Sequence, residues 1–332
     1  MIKLSDILDE LSLYKGDSSR ESSINLFISV VHSFLPNKTE YYFKVNNNYE
    51  DVLNENIPVS KFIKDISKYI VSEKGSNKLI VKKETGGLYC ILINADAPSL
   101  DLVVIGSINL QMFDEFSRKF KFPKTYHVSR SVVANEYLRA DFGKLLYFLT
   151  YNYLDSQGII MASDKTLFSG SFRMWTKFMP TIAPYFGIIL SSLVFPISKE
   201  DLEKVDKSTS EDIDGFVAMK KYPPVMEKIN KAVRNLSFVN GEYAYADLEV
   251  YHRASSKDRL FEDGDNFFEA IEYSNQKKLS LKNFVKYIER ELGEKMLLAG
   301  KNYNNIKCVV FNFTDGIFVV REQNGKLVYS LV

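Results

Sequence analysis

The most constraining feature of this sequence is a series of three apolar runs that follow one another with only short breaks between them. KLIVKKE, LYCILINA and LDLVVIGSINL are separated by Thr85-Gly86-Gly87 and by Ala97-Pro98-Ser99. Clusters of glycine, proline and serine favour chain reversal, and apolar runs of this length that are rich in β-branched residues favour strands. The segment therefore predicts an antiparallel meander.

Further regular segments flank this meander. The runs 24–35 and 39–45 are β-branched and aromatic and predict strands, whereas apolar residues recur at helical spacing in 59–73. Downstream, YHVSRSVVANEYL predicts a strand, and the apolar positions that follow from Phe142 at i, i+3, i+4 and i+7 predict a helix. A strand that leads directly into a helix is thus expected near residue 140.

The remainder of the chain alternates in the same way. GIIMAS (158–163) and FGIILSSLVF (186–195) predict strands on either side of a helix at 172–179, and the charged segment 198–214 lacks an apolar stripe and predicts a linker. Beyond it, helices are predicted at PPVMEKINKAVRNL and LSLKNFVKYIEREL, and strands at YAYADLEVY, IKCVVFNF, DGIFVV and KLVYSLV.

These patterns predict an α+β fold with a mixed, mainly antiparallel sheet and flanking helices, followed by a smaller C-terminal α+β region. The expected organisation is an N-terminal helical arm (1–20, with a helix at 3–14), a main domain (21–197), a charged linker (198–214) and a C-terminal domain (215–332). A chain of 332 residues is long enough for two such domains.

Composition excludes several classes of function. The 43 basic and 42 acidic residues nearly cancel, so no overall field attracts nucleic acid or an anionic membrane. Cys90 and Cys308 lie in separate apolar runs, which is typical of buried reduced thiols in a cytosolic protein. The longest apolar run, FGIILSSLVFPI, is far shorter than the ~20 residues of a membrane span. His32, His127 and His252 are dispersed, and no metal site is predicted.

The order of elements from about residue 59 to 195, with EYLRADFGKLLY at the strand-to-helix junction, resembles the GNAT-fold N-acyltransferases, including divergent members encoded by tailed bacteriophages. In that family a glycine-rich turn before the central helix holds the pyrophosphate of coenzyme A through backbone N–H groups. The family turn reads Arg or Gln, two residues, Gly, one residue, and Gly or Ala. Leu138, Asp141 and Gly143 take these places, and only Gly143 matches. The stretch GIIMASDKTLFSGSFRMW is also similar to phage-type members.

The resemblance implies acetyl-CoA as cofactor, bound by Val133, Arg139, Gly143 and Lys144. Asp141 leaves two interpretations open. It can cap the helix by accepting hydrogen bonds from the first-turn amides, or the turn can hold a pyrophosphate despite the added negative charge.

The resemblance also implies Tyr185 as the acid that protonates the departing thiolate and Glu136 as the nearest base. Ser163 and Asp164 lie near the site mouth in the family; taken alone, they predict a cap for the following helix. Trp175 lies one helical turn from aromatic neighbours and predicts core packing.

Two functions stay open. The first is a phage-encoded, acyl-CoA-dependent N-acyltransferase of the host cytoplasm, acting on an unknown acceptor such as a protein. The second is a catalytically inactive GNAT-like module that serves as a component of a virion or as a host-takeover factor. Such a module would act within an oligomer or a phage assembly.

Overall fold

The computed structural model describes residues 22–44, 51–113, 122–138, 140–164, 169–190, 193–206, 213–247, 264–292, 297–298, 305–313 and 316–332. The chain divides into two compact units. The first, called the N-terminal unit, comprises residues 1–112 and 126–159, and the second, the C-terminal unit, comprises 113–125 and 160–332. The predicted arm at 1–20 lies outside the described residues.

The N-terminal unit is built on a five-stranded antiparallel sheet of order β7-β6-β5-β4-β3. Its elements in chain order are α1 (Ser23–Phe34), β1 (Tyr42–Lys44), β2 (Asp51–Leu53), α2 (Val59–Ile66), β3 (Ile70–Lys74), β4 (Asn77–Glu84), β5 (Gly87–Asn94), β6 (Val104–Met112), β7 (Thr125–Val133) and α3 (Phe142–Ser156). The predicted meander is therefore confirmed as β4, β5 and β6. Strands β1 and β2 form a separate antiparallel ribbon.

The prediction of a strand at 24–35 was wrong, because this segment is helix α1. The Ser22 hydroxyl accepts a hydrogen bond from the Asn25 amide at 3.3 Å and caps the helix. The buried residues, Leu26, Phe27, Val30, Val31 and Phe34, lie on one helical face. Burial of this face against the sheet outweighs the strand preference of the β-branched residues.

The helix predicted at 59–73 is also shorter than expected. Helix α2 ends at Ile66, a 3₁₀ turn covers Ser67–Tyr69, and Ile70 begins β3. Helices α1 and α2 share one hydrophobic core with the sheet residues Ile80, Ile91, Ile93 and Val132. Because side chains alternate along a strand, the neighbours of these residues face the other side, where α3 packs.

The C-terminal unit contains a four-stranded antiparallel sheet of order β10-β9-β11-β8. Its first elements are β8 (Ile160–Ala162), α4 (Ser169–Arg173), a π-helix (Met174–Phe178), α5 (Met179–Ile182), β9 (Tyr185–Leu190), β10 (Leu193–Ile197), α6 (Lys199–Lys204), β11 (Gly215–Met219) and α7 (Pro224–Val233). The single strand predicted at 186–195 was wrong, since β9 and β10 pair as an antiparallel hairpin.

The segment predicted as a linker begins with helix α6. The Ser198 hydroxyl accepts a hydrogen bond from the Asp201 amide at 3.0 Å, and Leu202 and Val205 are buried. Strand β11, which follows directly, pairs with both β8 and β9. Residues 198–214 thus lie inside the C-terminal unit, and the division of the chain into domains at this segment stays a prediction.

The rest of the C-terminal unit has a sheet of its own, of order β13-β12-β14-β15-β16. Its elements are β12 (Tyr243–Asp247), α8 (Gly264–Gln276), α9 (Leu281–Leu292), β13 (Leu297–Leu298), β14 (Cys308–Phe313), β15 (Gly316–Gln323) and β16 (Lys326–Leu331). Among the described strand pairs of this sheet, only β12 and β14 are parallel, and residues of α8 and α9 share a hydrophobic core with the sheet. The predicted fold class, α+β with a mainly antiparallel sheet, flanking helices and a smaller C-terminal α+β region, is confirmed.

Candidate functional site

The junction between β7 and α3 is a short turn with an unusual backbone at its last residue. Val133 ends β7 opposite Gly106, a 3₁₀ turn covers Asn135–Tyr137, and α3 begins at Phe142. The intervening Asp141 has φ 56° and ψ 10°, which is the left-handed region. Aspartate and asparagine tolerate this region better than most other non-glycine residues.

The expectation that Asp141 caps α3 through its side chain was wrong. Its carboxylate accepts no hydrogen bond from the first-turn amides. A capping residue normally has extended backbone angles, whereas Asp141 is left-handed. The carboxylate instead pairs with the ammonium of Lys144, with Oδ1 and Nζ 2.9 Å apart.

The first turn of α3 presents backbone hydrogen-bond donors that the described residues leave unpaired. The first helical bond runs from the Leu145 amide to the Asp141 carbonyl. Within the described part of the chain, the backbone amides of Phe142, Gly143 and Lys144 donate no hydrogen bond. These amides and the helix dipole make the turn suitable for an anion. Arg139, the other predicted cation, lies outside the described residues.

Tyr137 fixes the approach to this turn. Its hydroxyl donates a hydrogen bond to the Leu102 carbonyl, and its ring packs edge-on against Phe142 with centroids 5.2 Å apart. Burial raises the pKa of Tyr137 above its usual value, so the hydroxyl stays protonated and remains a donor. Tyr137 thus anchors the start of α3 to the 3₁₀ turn Leu100–Leu102, which precedes β6.

Glu136 contacts a different helix terminus. Its Oε2 accepts a hydrogen bond from the Ser23 amide at 2.9 Å, at the start of α1, and the Ser23 hydroxyl donates to the Val104 carbonyl at 2.6 Å. One carboxylate oxygen therefore caps α1. The predicted role of Glu136 as a base stays a prediction.

Tyr185 belongs to the C-terminal unit, whereas the other described site residues, Val133, Glu136, Gly143 and Lys144, belong to the N-terminal unit. Tyr185 opens β9 opposite Met219, and its side chain is 43% exposed. Its ring contacts that of Tyr222 with centroids 4.8 Å apart. Burial raises the pKa of Tyr222 to about 12. The role of Tyr185 as an acid also stays a prediction.

Ser163 and Trp175 have structural roles. The Ser163 hydroxyl accepts a hydrogen bond from the Phe216 amide at 2.8 Å and donates to the Asp164 carbonyl at 3.0 Å. Ser163 thus joins the end of β8 to β11. The predicted cap of the next helix by Ser163 or Asp164 stays a prediction, because residues 165–168 lie outside the described residues. Trp175 is fully buried within the π-helix, which confirms the prediction of core packing.

Sequence reasoning missed a polar cavity of about 370 Å³ in the N-terminal unit. It is lined by Asn25, Ser29, Ser33, Glu84, Tyr89, Ser107, Asn109 and Arg130. The only local signal was the spacing of Asn25, Ser29 and Ser33, which places three polar residues on one helical face. The strand residues come together through sheet register.

No group of three or more His, Cys, Asp or Glu residues in the described part of the chain could hold a metal ion. No helix in the same part of the chain is long and apolar enough to cross a membrane.

Comparison with known proteins gives little further information. No family model and no curated protein matches the chain. Among solved structures, it is similar to an acetyltransferase of the GNAT family from Staphylococcus aureus Mu50, with 14% identity over 62% of this chain and 96% of that chain. The TM-score of 0.25 is too low for this similarity to carry an argument about fold or activity.

Proposed function

We propose that the protein is a divergent N-acyltransferase that binds acetyl-CoA with its pyrophosphate at the first turn of α3. The observation that carries this proposal is the set of first-turn amides at Phe142, Gly143 and Lys144, for which the described residues offer no acceptor. Backbone amides at the start of a long helix are a common site for phosphate groups. The resemblance of the sequence to GNAT-fold enzymes supports the same turn.

The charges at the turn are compatible with an anion. The negative charge of Asp141 would repel a pyrophosphate, but the ammonium of Lys144 lies 2.9 Å from Asp141 Oδ1 and offsets it. Both side chains are exposed, at 51% for Lys144 and 79% for Asp141. The ion pair is therefore weak, and Lys144 is free to turn toward a more highly charged anion.

Acetyl-CoA supplies the acyl thioester, and the chain supplies binding and proton transfer. In this proposal Glu136 takes the proton from the acceptor ammonium, and Tyr185 gives a proton to the departing sulfur. Glu136 retains one carboxylate oxygen that has no hydrogen-bond partner among the described residues. The proposed acceptor is an amine, such as an amino group of a protein. The resemblance to phage-encoded members of the family is the basis for proposing a phage origin.

Isothermal titration calorimetry with coenzyme A tests the proposal. The wild type should bind, and binding should weaken as salt is added because exposed charges are screened. Lys144→Ala should weaken binding by about 1.4- to fivefold, since an exposed ion pair contributes about 0.2–1 kcal/mol.

Lys204→Ala is the matched control. Lys204 lies 4.0 Å from Asp201 in another i,i+3 pair, at the last residue of α6. Its removal should leave the affinity for coenzyme A unchanged. Absence of heat from the wild type at low ionic strength would remove the basis for the acyltransferase proposal.

A further inference from the structure

The polar cavity of the N-terminal unit has the size and construction of a small-molecule site. Its volume of about 370 Å³ falls within the range of ~300–1,000 Å³ that is usual for ligand pockets. One wall is α1, which contributes Asn25, Ser29 and Ser33, and the other wall is the sheet. The cavity lies on the α1 face of the sheet, whereas α3 packs against the opposite face. It is therefore distinct from the proposed coenzyme A turn.

Sheet register places the polar residues of the floor side by side. Tyr89 on β5 lies directly opposite Asn109 on β6, and Asn109 lies directly opposite Arg130 on β7. Ser107 precedes Asn109 by two residues and faces the same side. Residues on adjacent strands at the same register are close enough to contact one ligand together.

One polar atom in this floor is buried without a hydrogen-bond partner among the described residues. Asn109 Oδ1 is inaccessible to solvent and accepts no hydrogen bond. Ser107, which lines the same cavity, is only 7% exposed. Buried polar groups are nearly always paired, and an unpaired group destabilises the fold. An apolar residue at position 109 would be more stable, so the polar side chain there points to a bound ligand.

The chemistry of the lining indicates the class of ligand. The inner surface carries amides and hydroxyls, which both donate and accept hydrogen bonds. The lining carries one acidic and one basic side chain, Glu84 and Arg130, so neither charge predominates among the lining residues. Glu84 also pairs with Lys82 beside the cavity, with Oε1 and Nζ 3.9 Å apart. Tyr89 adds an aromatic ring that can contact an apolar ligand face. We propose that this cavity binds a small, uncharged, polyhydroxylated molecule of monosaccharide size.

Saturation-transfer NMR on the full chain tests this inference, with D-glucose, D-ribose and myo-inositol as neutral probes and glucose 6-phosphate and glucosamine as charged ones. At least one neutral probe should receive saturation from the protein, more strongly than either charged one. Asn109→Leu and Ser107→Ala should each lower the transfer severalfold. Gln111→Ala is the control, since Gln111 is exposed on the same strand and does not line the cavity.

Thermal unfolding separates loss of the site from loss of the fold. Asn109→Leu should raise the Tm because it removes an unpaired buried carbonyl while it abolishes transfer. The inference is overturned if no neutral probe receives saturation, if only the charged probes do, or if transfer persists in a folded Asn109→Leu. Because the coenzyme A site is assayed separately by calorimetry, failure of one proposal leaves the other intact.

Discussion

The left-handed backbone of Asp141 makes a prediction about stability that differs from that of a helix cap. For a cap, aspartate, asparagine and serine are about equal, glycine is slightly worse and alanine is worst. For a residue with φ 56°, glycine is unstrained, aspartate and asparagine are tolerated, and serine and alanine are strained. Asp141→Ser therefore separates the two accounts.

The magnitudes follow from the backbone and the ion pair. A non-glycine residue in the left-handed region destabilises the fold by roughly 1–2 kcal/mol. Glycine avoids this strain but lowers the stability by about 0.4–1 kcal/mol, because it raises the conformational entropy of the unfolded chain. The exposed pair with Lys144 contributes about 0–1 kcal/mol and is lost equally in every neutral variant. Asp141→Gly should thus be about 1 kcal/mol more stable than Asp141→Ala, and Asp141→Ser should lie close to Asp141→Ala.

Chemical denaturation of the four proteins, with thermal unfolding as a second probe, measures this order. Asn235 is the matched control, because it is exposed, has φ 65° and lies in the C-terminal unit. The same three substitutions there should follow the same order. If Asp141→Ser is as stable as the wild type while Asn235→Ser is not, the left-handed account of Asp141 is refuted.

Three further predictions concern the rest of the chain. Gly106→Ala should destabilise the protein by about 1–3 kcal/mol in thermal melts, because the added Cβ would lie 2.5 Å from a backbone carbonyl oxygen of β7. Gly316→Ala should destabilise it less, because the Cβ there would lie 2.8 Å from a leucine side chain, which can move. Hydrogen bonding from Lys307 lowers the pKa of Glu242 below its ordinary 4.5. The ionised Glu242 therefore contributes its full stabilisation of the fold above pH 4.5, and this stabilisation is lost as the pH falls through the lowered pKa of the folded state. Glu242→Gln should reduce the Tm at neutral pH, and melts in increasingly acidic buffer should show the difference vanish; a constant difference would exclude this linkage. Burial raises the pKa of Cys90 to about 12, and both cysteines are free and buried, so thiol reagents should label them only on unfolding; fast native labelling would contradict this.

Local patterns were sufficient for much of the fold. The meander strands β4, β5 and β6 were predictable because turn residues and apolar runs mark them within a few positions. Helix α3 was also predictable from local sequence, because its apolar residues recur at regular helical spacing. Helix α1 was not, because its β-branched residues favour a strand locally and only burial against the sheet decides between the two.

The candidate sites depended more on tertiary structure. The sequence located the α3 turn, but it could not reveal that Asp141 is left-handed and paired with Lys144, because both depend on how Tyr137 anchors the approach to the helix. The polar cavity could not be predicted at all. Tyr89 and Arg130 meet across Asn109 only through strand register, and that register is set by the whole sheet.

The most direct test of the central proposal is to observe the amides of Gly143 and Lys144 while coenzyme A is added. In an amide-resolved NMR titration, these two resonances should shift in a saturable way, and the amides of the Asn235 turn should not. The shifts should be larger in Asp141→Gly, which lacks the repelling carboxylate. If coenzyme A leaves both resonances of the α3 turn unchanged at saturating concentration, the start of α3 is not its binding site.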